Sequence, residues 1–167
     1  KKNGQEIGEY VLYTLYPMSG HCVLKVSNSQ GKIDKHDLDL LWGYTIGNDV
    51  SCENVHGWDH HLARSKGADT FCVLGPWIDT EYNPSGKQIK GYHNKTLIRN
   101  GYCQERLWKE PELLVWLSSW ITLEPGDVVL TGTPCRVQDR VYFKEGDIFT
   151  CVIEGLGELS NAFELEK

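Results

Sequence analysis

Two short segments of similar design constrain the fold of this chain more than any other feature. Residues 124–127 read Glu-Pro-Gly-Asp, and residues 144–147 read Lys-Glu-Gly-Asp. Each precedes a run rich in β-branched and aromatic residues, at 128–131 and 148–153. Glycine supplies a positive φ, and an aspartate side chain can accept a backbone hydrogen bond within the same turn. Both segments are therefore predicted to be tight turns that lead into strands.

Strand signals recur through the rest of the chain. Strands are predicted for the following runs, each bounded by turn-forming residues: 10–16, 22–26, 42–47, 89–93 and 96–98. The last two runs flank Asn94 and Lys95, which predicts a hairpin at that point.

Helix signals are fewer. Asp34 and Ser51 suit the N-caps of helices running to about residues 41 and 64, and Pro111 suits the first turn of a third helix. Apolar residues of this third helix recur at helical spacing: Leu113, Leu114, Leu117, Trp120 and Ile121. That stripe predicts a face packed on the core. The balance of signals predicts an α+β, mainly β fold in a single domain spanning residues 1–167.

Charge and cysteine usage exclude several classes of protein. The chain has 23 acidic and 17 basic residues, a net charge of −6, which disfavours a nucleic-acid-binding surface. No apolar run reaches the roughly 18 residues that a membrane-spanning helix needs. We therefore expect neither nucleic acid nor a membrane as a partner. Six cysteines without a close pair predict reduced thiols, and so a cytoplasmic location or another reducing compartment such as the mitochondrial matrix.

Asp49 is the first candidate for chemistry. It follows an apolar run in the sequence Gly-Tyr-Thr-Ile-Gly-Asn-Asp at residues 43–49. A carboxylate at the end of a strand is well placed to bind a hard cation such as Mg²⁺. The alternative is that Asn48 and Asp49 are ordinary turn residues.

Two further candidates lie later in the chain. Lys66 stands between small residues and precedes an apolar stretch, so its ammonium could face inward and stabilise an oxyanion or enolate. The alternative is a solvated loop lysine. Thr131, Gly132 and Thr133 offer hydroxyl and backbone N–H groups that could bind a carboxylate or phosphate, although Gly-Thr-Pro is also common in turns.

Together and in order, these segments resemble the fumarylacetoacetate hydrolase family. The resemblance covers residues 36–163 and rests on the segments 43–51, 65–77, 117–134, 144–147 and 153–157. It implies a mixed β-roll or β-sandwich of the family's C-terminal-domain type with a few short helices. It also implies a metal-dependent hydrolase, decarboxylase or tautomerase (isomerase) that acts on small 2-oxo or 2,4-dioxo acids, including cleavage of a C–C bond.

The resemblance assigns roles to individual residues. Asp49 matches the family's metal-ligand aspartate and Lys66 its active-site lysine. Thr133, beside Gly132, matches the threonine that binds the substrate carboxylate. The expected cofactor is Mg²⁺ or Mn²⁺, which would help to stabilise an enolate.

The chain also departs from the family pattern. The family has Glu-x-Glu on a strand that corresponds to residues 19–26, and this chain has none there. His21 is a candidate second ligand, softer than a carboxylate. Residues 1–35 are divergent or truncated relative to the family, and the N-terminal lid has no counterpart. We therefore expect metal binding to be weak or absent, since hard cations want several oxygen ligands.

Two hypotheses for function follow. The first is an enzyme acting on a small 2-oxo acid substrate through Asp49, Lys66 and Thr133. The second is a non-catalytic paralogue or partner subunit that keeps the fold and has lost the metal centre. Family members commonly dimerise, so a homodimer is expected in either case.

Overall fold

The computed structural model describes residues 13–24, 41–52, 63–124 and 126–165. These residues form eight strands and two α-helices, with a short 3-10 helix at Cys103–Glu105. In chain order the elements are β1 (Tyr13–Leu24), β2 (Leu41–Cys52), α1 (Ala63–Lys66), β3 (Cys72–Asp79), β4 (Gln88–His93), β5 (Thr96–Tyr102), α2 (Glu110–Ser118), β6 (Val128–Val129), β7 (Ile148–Ile153) and β8 (Gly157–Ala162).

The strands make two open four-stranded sheets. The first has the order β3-β2-β1-β6 and the second β5-β4-β7-β8. All described strand pairs are antiparallel. The predicted mainly β fold with few helices is therefore confirmed. No helix among the described residues is long and apolar enough to cross a membrane.

The main core lies between the two sheets. Ile46 of β2 is fully buried in one cluster with residues of the second sheet. The second sheet contributes these buried apolar residues: Ile89, Ile98, Phe149, Cys151 and Ile153. Along β7, burial alternates with the period of two expected when one face of a strand covers a core. Each fully buried apolar side chain stabilises the fold by about 1.5–3 kcal/mol.

The two Gly-Asp turns form as the sequence predicts. Gly126 has φ +99° and Gly146 has φ +79°. Asp127 accepts a hydrogen bond from Glu124 N, and Asp147 accepts one from Lys144 N, both at 2.8 Å. The strand after the second turn matches its prediction at Ile148–Ile153. The strand after the first turn was predicted over 128–131 but spans only Val128–Val129, because β1 pairs with just those two residues.

The predicted third helix is α2, and its stripe is only partly correct. Leu114 is 2% exposed and packs in a second cluster with Leu41, Leu117, Leu123 and Val129. The helix ends at Ser118. Trp120 and Ile121 therefore lie beyond its last turn, and both side chains are exposed.

Several other predictions need correction. Residues 10–16 and 22–26 were expected as two strands, but Tyr13–Leu24 is one strand with an irregular register between Met18 and His21. Ser51 is not a helix cap, because β2 continues to Cys52 and pairs Ser51 with Thr14. β2 exceeds its predicted length of 42–47 because strands pair with it on both sides. The helix predicted from Asp34 lies largely outside the described residues.

Candidate active site

Asp49 lies near the end of β2, between two neighbouring strands. Its backbone is in register with Tyr16 of β1 and with Cys72 of β3. The carboxylate side chain is only 10% exposed. Since a buried, unpaired carboxylate is costly, this position requires a partner for the charge.

Lys66 provides that partner. It is the last residue of α1, and its Nζ forms an ion pair with Asp49 Oδ2. A Cβ at Gly67 would lie 2.6 Å from the Ala63 carbonyl oxygen, so glycine is needed where the chain leaves α1. The Lys66 side chain is 37% exposed, so the pair joins one buried group to one that reaches solvent. The structure thus brings together two of the three predicted site residues.

Asn48, the neighbour of Asp49, has a different role. Adjacent residues of a strand point to opposite faces of the sheet. Asn48 is 1% exposed, and its Nδ2 donates a 3.0 Å hydrogen bond to Asn161 Oδ1 of β8. Asn48 therefore joins the two sheets, while Asp49 faces Lys66 on the other side.

Thr133 lies in the segment that follows β6. The chain leaves β6 after Val129 and turns at Gly132, which has φ +104°. Thr131–Pro134 line a cavity of about 250 Å³ together with Ile89, Tyr102, Glu105 and Arg106. Thr133 Oγ1 is buried and has no hydrogen-bond partner among the described residues. Neither Asp49 nor Lys66 is among the described residues that line this cavity, so convergence of all three stays a prediction.

The register of β1 bears on the predicted metal ligands. His21 is paired with Thr45, four residues before Asp49 on β2, or about 13 Å along the strand. A cation shared by His21 and Asp49 stays a prediction. The residue opposite Asp49 on β1 is Tyr16, which is not acidic.

The donor set of the described residues does not fit a hard cation by itself. Among them, no group of three or more His, Cys, Asp or Glu side chains is arranged to hold a metal ion. Asp49 supplies one carboxylate, and that carboxylate is already paired with Lys66. Mg²⁺ needs near-octahedral oxygen coordination, which one carboxylate cannot provide.

The charge of Asp49 also acts on Cys72. Burial raises the pKa of the Cys72 thiol, and the negative charge of Asp49 raises it further. The thiol therefore stays protonated near neutral pH, which keeps it a poor nucleophile.

Sequence reasoning missed Asn161 and Cys72 as neighbours of the site. Asn161 is separated from Asn48 by 113 residues, and no local pattern marks such a contact. Cys72 could have been placed opposite Asp49 only by knowing the register of β2 and β3.

The fold and the site define a class of protein: a mainly β domain of two antiparallel sheets, in which a buried aspartate of the first sheet pairs with a partly exposed lysine. The model of the fumarylacetoacetate hydrolase C-terminal domain matches residues 21–164. The chain therefore belongs to the fumarylacetoacetate hydrolase family, as the sequence motifs predict.

Individual relatives agree with this assignment. Protein Rv2993c of Mycobacterium tuberculosis is 36% identical over 127 residues, covering 74% of this chain and 47% of that protein. The mitochondrial oxaloacetate tautomerase fahd2 of Xenopus laevis is 35% identical over 151 residues, covering 81% of this chain and 46% of that protein. This chain thus spans about half the length of these curated relatives.

A solved structure shows the same fold. The 5-carboxymethyl-2-hydroxymuconate delta-isomerase of Mycobacterium smegmatis superposes with a TM-score of 0.84 at 31% identity. The superposition covers 95% of this chain and 61% of that one. The two-sheet architecture is therefore that of a family whose named members here include a tautomerase and an isomerase.

Proposed function

We propose that this chain carries the active site of an enzyme that acts on a small 2-oxo or 2,4-dioxo acid, as a hydrolase, decarboxylase or tautomerase. The observation that carries the proposal is the ion pair of Lys66 with the buried Asp49, held between β2 and the end of α1. Family membership supports the reaction class.

The pair suits chemistry that passes through an enolate. When a proton or a carbon–carbon bond is lost beside a 2-oxo group, negative charge develops on the carbonyl oxygen. An ammonium held in place before the reaction stabilises that charge without reorganising at the moment of reaction. Asp49 holds Lys66 in this way, and the exposed part of Lys66 is where a substrate oxygen can reach it.

Thr133 suits the other end of such a substrate. Its hydroxyl oxygen is buried and has no hydrogen-bond partner among the described residues, and Thr133 is one of the residues that line the 250 Å³ cavity. A substrate carboxylate would accept a hydrogen bond from it and so satisfy a group whose burial is otherwise costly. We assign Thr133, with Gly132, to substrate binding on that ground.

The divalent cation, Mg²⁺ or Mn²⁺, is a separate proposal. Asp49 is the described residue that would contribute a ligand oxygen, and the described residues alone do not complete a site. Calorimetric titration with Mn²⁺ tests this without an activity assay. We expect weak binding that Asp49→Asn abolishes, and equal binding by Asp49→Asn and wild-type protein would contradict it.

A direct assay tests the proposed reaction. The interconversion of keto and enol oxaloacetate, and the loss of an acylpyruvate, are both followed by the ultraviolet absorbance of the enol, with and without Mn²⁺. We expect turnover by wild-type protein and by Lys144→Met, an exposed control, and a large loss in Lys66→Met. A folded wild-type protein inactive on every 2-oxo acid would instead support the non-catalytic paralogue or partner subunit.

We also propose a homodimer in a reducing compartment. Five cysteines are free thiols, as a cytoplasmic or mitochondrial-matrix protein would have them: Cys52, Cys72, Cys103, Cys135 and Cys151. The ring of Trp116 contacts the rings of both Trp108 and Trp120, and each of the three side chains is at least 47% exposed. Their exposed area is on the order of 300 Å², within the range of exposed apolar patches that are often functional.

A further inference from the structure

The segment that follows Gly132 is held against the edge of β5 by several contacts. Asn100 N donates to Cys135 O at 3.3 Å, and Val137 N donates to Ile98 O at 3.0 Å. Arg99 and Arg136 form an isolated antiparallel bridge. The segment therefore runs alongside β5 as an extra, irregular strand and carries Thr133 at its beginning.

One side chain reaches from β5 to the Gly-Thr-Pro turn itself. Arg99 is 5% exposed, and its Nη1 donates a 2.8 Å hydrogen bond to the carbonyl oxygen of Pro134. The residue paired with Arg99 on the neighbouring strand β4 is Gly91. Directly paired residues point to the same face of a sheet, so Gly91 leaves room there for the long arginine side chain.

Gly101 allows the backbone of the Gly-Thr-Pro turn to lie close to β5. A Cβ at Gly101 would lie 2.8 Å from Cβ of Pro134 and 2.7 Å from Oε2 of Glu105. The absence of a side chain thus lets the turn lie directly on β5. Arg99 and Gly101 together fix where Pro134 sits, one by a hydrogen bond and one by its small size.

From this geometry we infer that Arg99 is a positioning residue for substrate binding. It holds the carbonyl of Pro134, and because the proline ring fixes φ at Pro134, it also limits the position of the preceding residue, Thr133, which lines the cavity. The inference rests on the proposed function, because it assigns Arg99 the task of placing the hydroxyl that binds a 2-oxo acid carboxylate. A buried guanidinium is costly to desolvate, so its presence here needs such a reason.

The proposed role of Arg99 predicts a change in substrate binding, measured by KM, and not in the rate of the catalytic step, measured by kcat. Thr133 would contact the carboxylate equally in the bound substrate and in the transition state, so misplacing it raises KM and leaves kcat largely unchanged. A displacement of about 1 Å in such a contact weakens its effect by roughly ten- to a hundredfold. Loss of Lys66, which acts on developing charge, would instead lower kcat.

Oxalate is the probe for the test, since this planar dianion resembles the enolate of a 2-oxo acid. Calorimetry measures its binding to the full chain for wild type, Arg99→Met, Arg99→Lys and the exposed control Arg136→Met. We expect binding to weaken at least tenfold in Arg99→Met and less in Arg99→Lys, whose ammonium keeps one donor toward Pro134. Arg136→Met should bind as wild type does, and KM for oxaloacetate should follow the same order at nearly constant kcat.

The outcomes separate this inference from the proposed function. Oxalate binding by Arg99→Met equal to that of wild type would overturn the role of Arg99 alone. Wild-type protein that neither binds oxalate nor turns over a 2-oxo acid would overturn the proposed function and this role with it. If Arg99→Met does not fold, Arg99→Lys decides, and wild-type binding and KM in that variant would contradict the inference.

Discussion

Asn48 and Asp49 are adjacent in sequence, but their side chains lie on opposite faces of β2 and have different partners. Asn48 joins the two sheets through Asn161, and Asp49 pairs with Lys66 on the other face of β2. The alternation of a strand produces this division. The sequence could identify Asp49 through its position after an apolar run, but it could not show that Asn48 was structural, because Asn161 belongs to a different sheet.

Removing the Asn48 side chain tests its structural role. Asn48→Ala should lower the free energy of unfolding by about 1–3 kcal/mol, because it removes a buried side chain and its hydrogen bond to the half-buried Asn161. Chemical denaturation measures the change, and Asn161→Ala completes a double-mutant cycle. Strictly additive effects of the two substitutions would contradict direct coupling between the side chains.

Asp147 should make stability depend on pH in the acid range. Burial alone would raise its pKa, but hydrogen bonds from the Lys144 backbone, Asn94 and His93 outweigh it and hold the pKa at about 2, below the ordinary 3.8. A carboxyl with a lowered folded pKa stabilises the fold above its unfolded pKa and loses that contribution as pH falls toward the folded value. Asp147→Asn should therefore be less stable than wild type above about pH 4, with the gap closing between pH 4 and 2. Denaturation curves that keep a constant gap over this range would contradict the assignment.

At the scale of elements, turn chemistry was predictable and strand length was not. The β4–β5 hairpin forms where Asn94 and Lys95 predict it, with φ of 45° and 72° at these residues. Asn94 also accepts a hydrogen bond from Ile148 N, so the turn is tied to β7. The lengths of β2 and β6 depend on which strands pair with them, and that information lies far away in the sequence.

Gly146 offers a clean test of the turn chemistry. Its φ is +79°, and a Cβ built there would meet nothing within 4 Å. Gly146→Ala should therefore cost about 1–2 kcal/mol of stability through backbone strain alone. Lys144→Ala, which changes an exposed side chain of the same turn, serves as the control. Unchanged stability of Gly146→Ala would mean that the turn relaxes without the left-handed conformation.

At the scale of the whole molecule, α2 is apolar on two sides. Leu114 faces the second core cluster, while Trp116 is 50% exposed. Trp120, just beyond the end of the helix, contacts Trp116 and is 63% exposed. A helix with apolar residues on both faces is normally covered on both. A second copy of the chain could cover the indoles without opposing charges at the centre of the contact, which is the arrangement typical of homodimer interfaces.

Substitution at this face tests the proposed homodimer. We expect sedimentation of wild-type protein as a dimer at micromolar concentration and of Trp116→Glu as a monomer, because a charge at the centre of an apolar contact is desolvated without a partner. Glu158→Gln, at an exposed position of β8, should remain a dimer. A monomeric wild-type protein would contradict the proposal.

The central claim is that Lys66, held by Asp49, stabilises an enolate of a 2-oxo acid. Proton NMR in deuterium oxide measures this most directly, by the rate at which the C3 hydrogens of pyruvate or oxaloacetate exchange for deuterium with Mg²⁺ present. We predict that wild-type protein and Lys144→Met accelerate the exchange, and that Lys66→Met slows it by roughly 10²–10³-fold relative to wild type. Exchange at the buffer rate with wild-type protein, or at the wild-type rate with Lys66→Met, would contradict the claim.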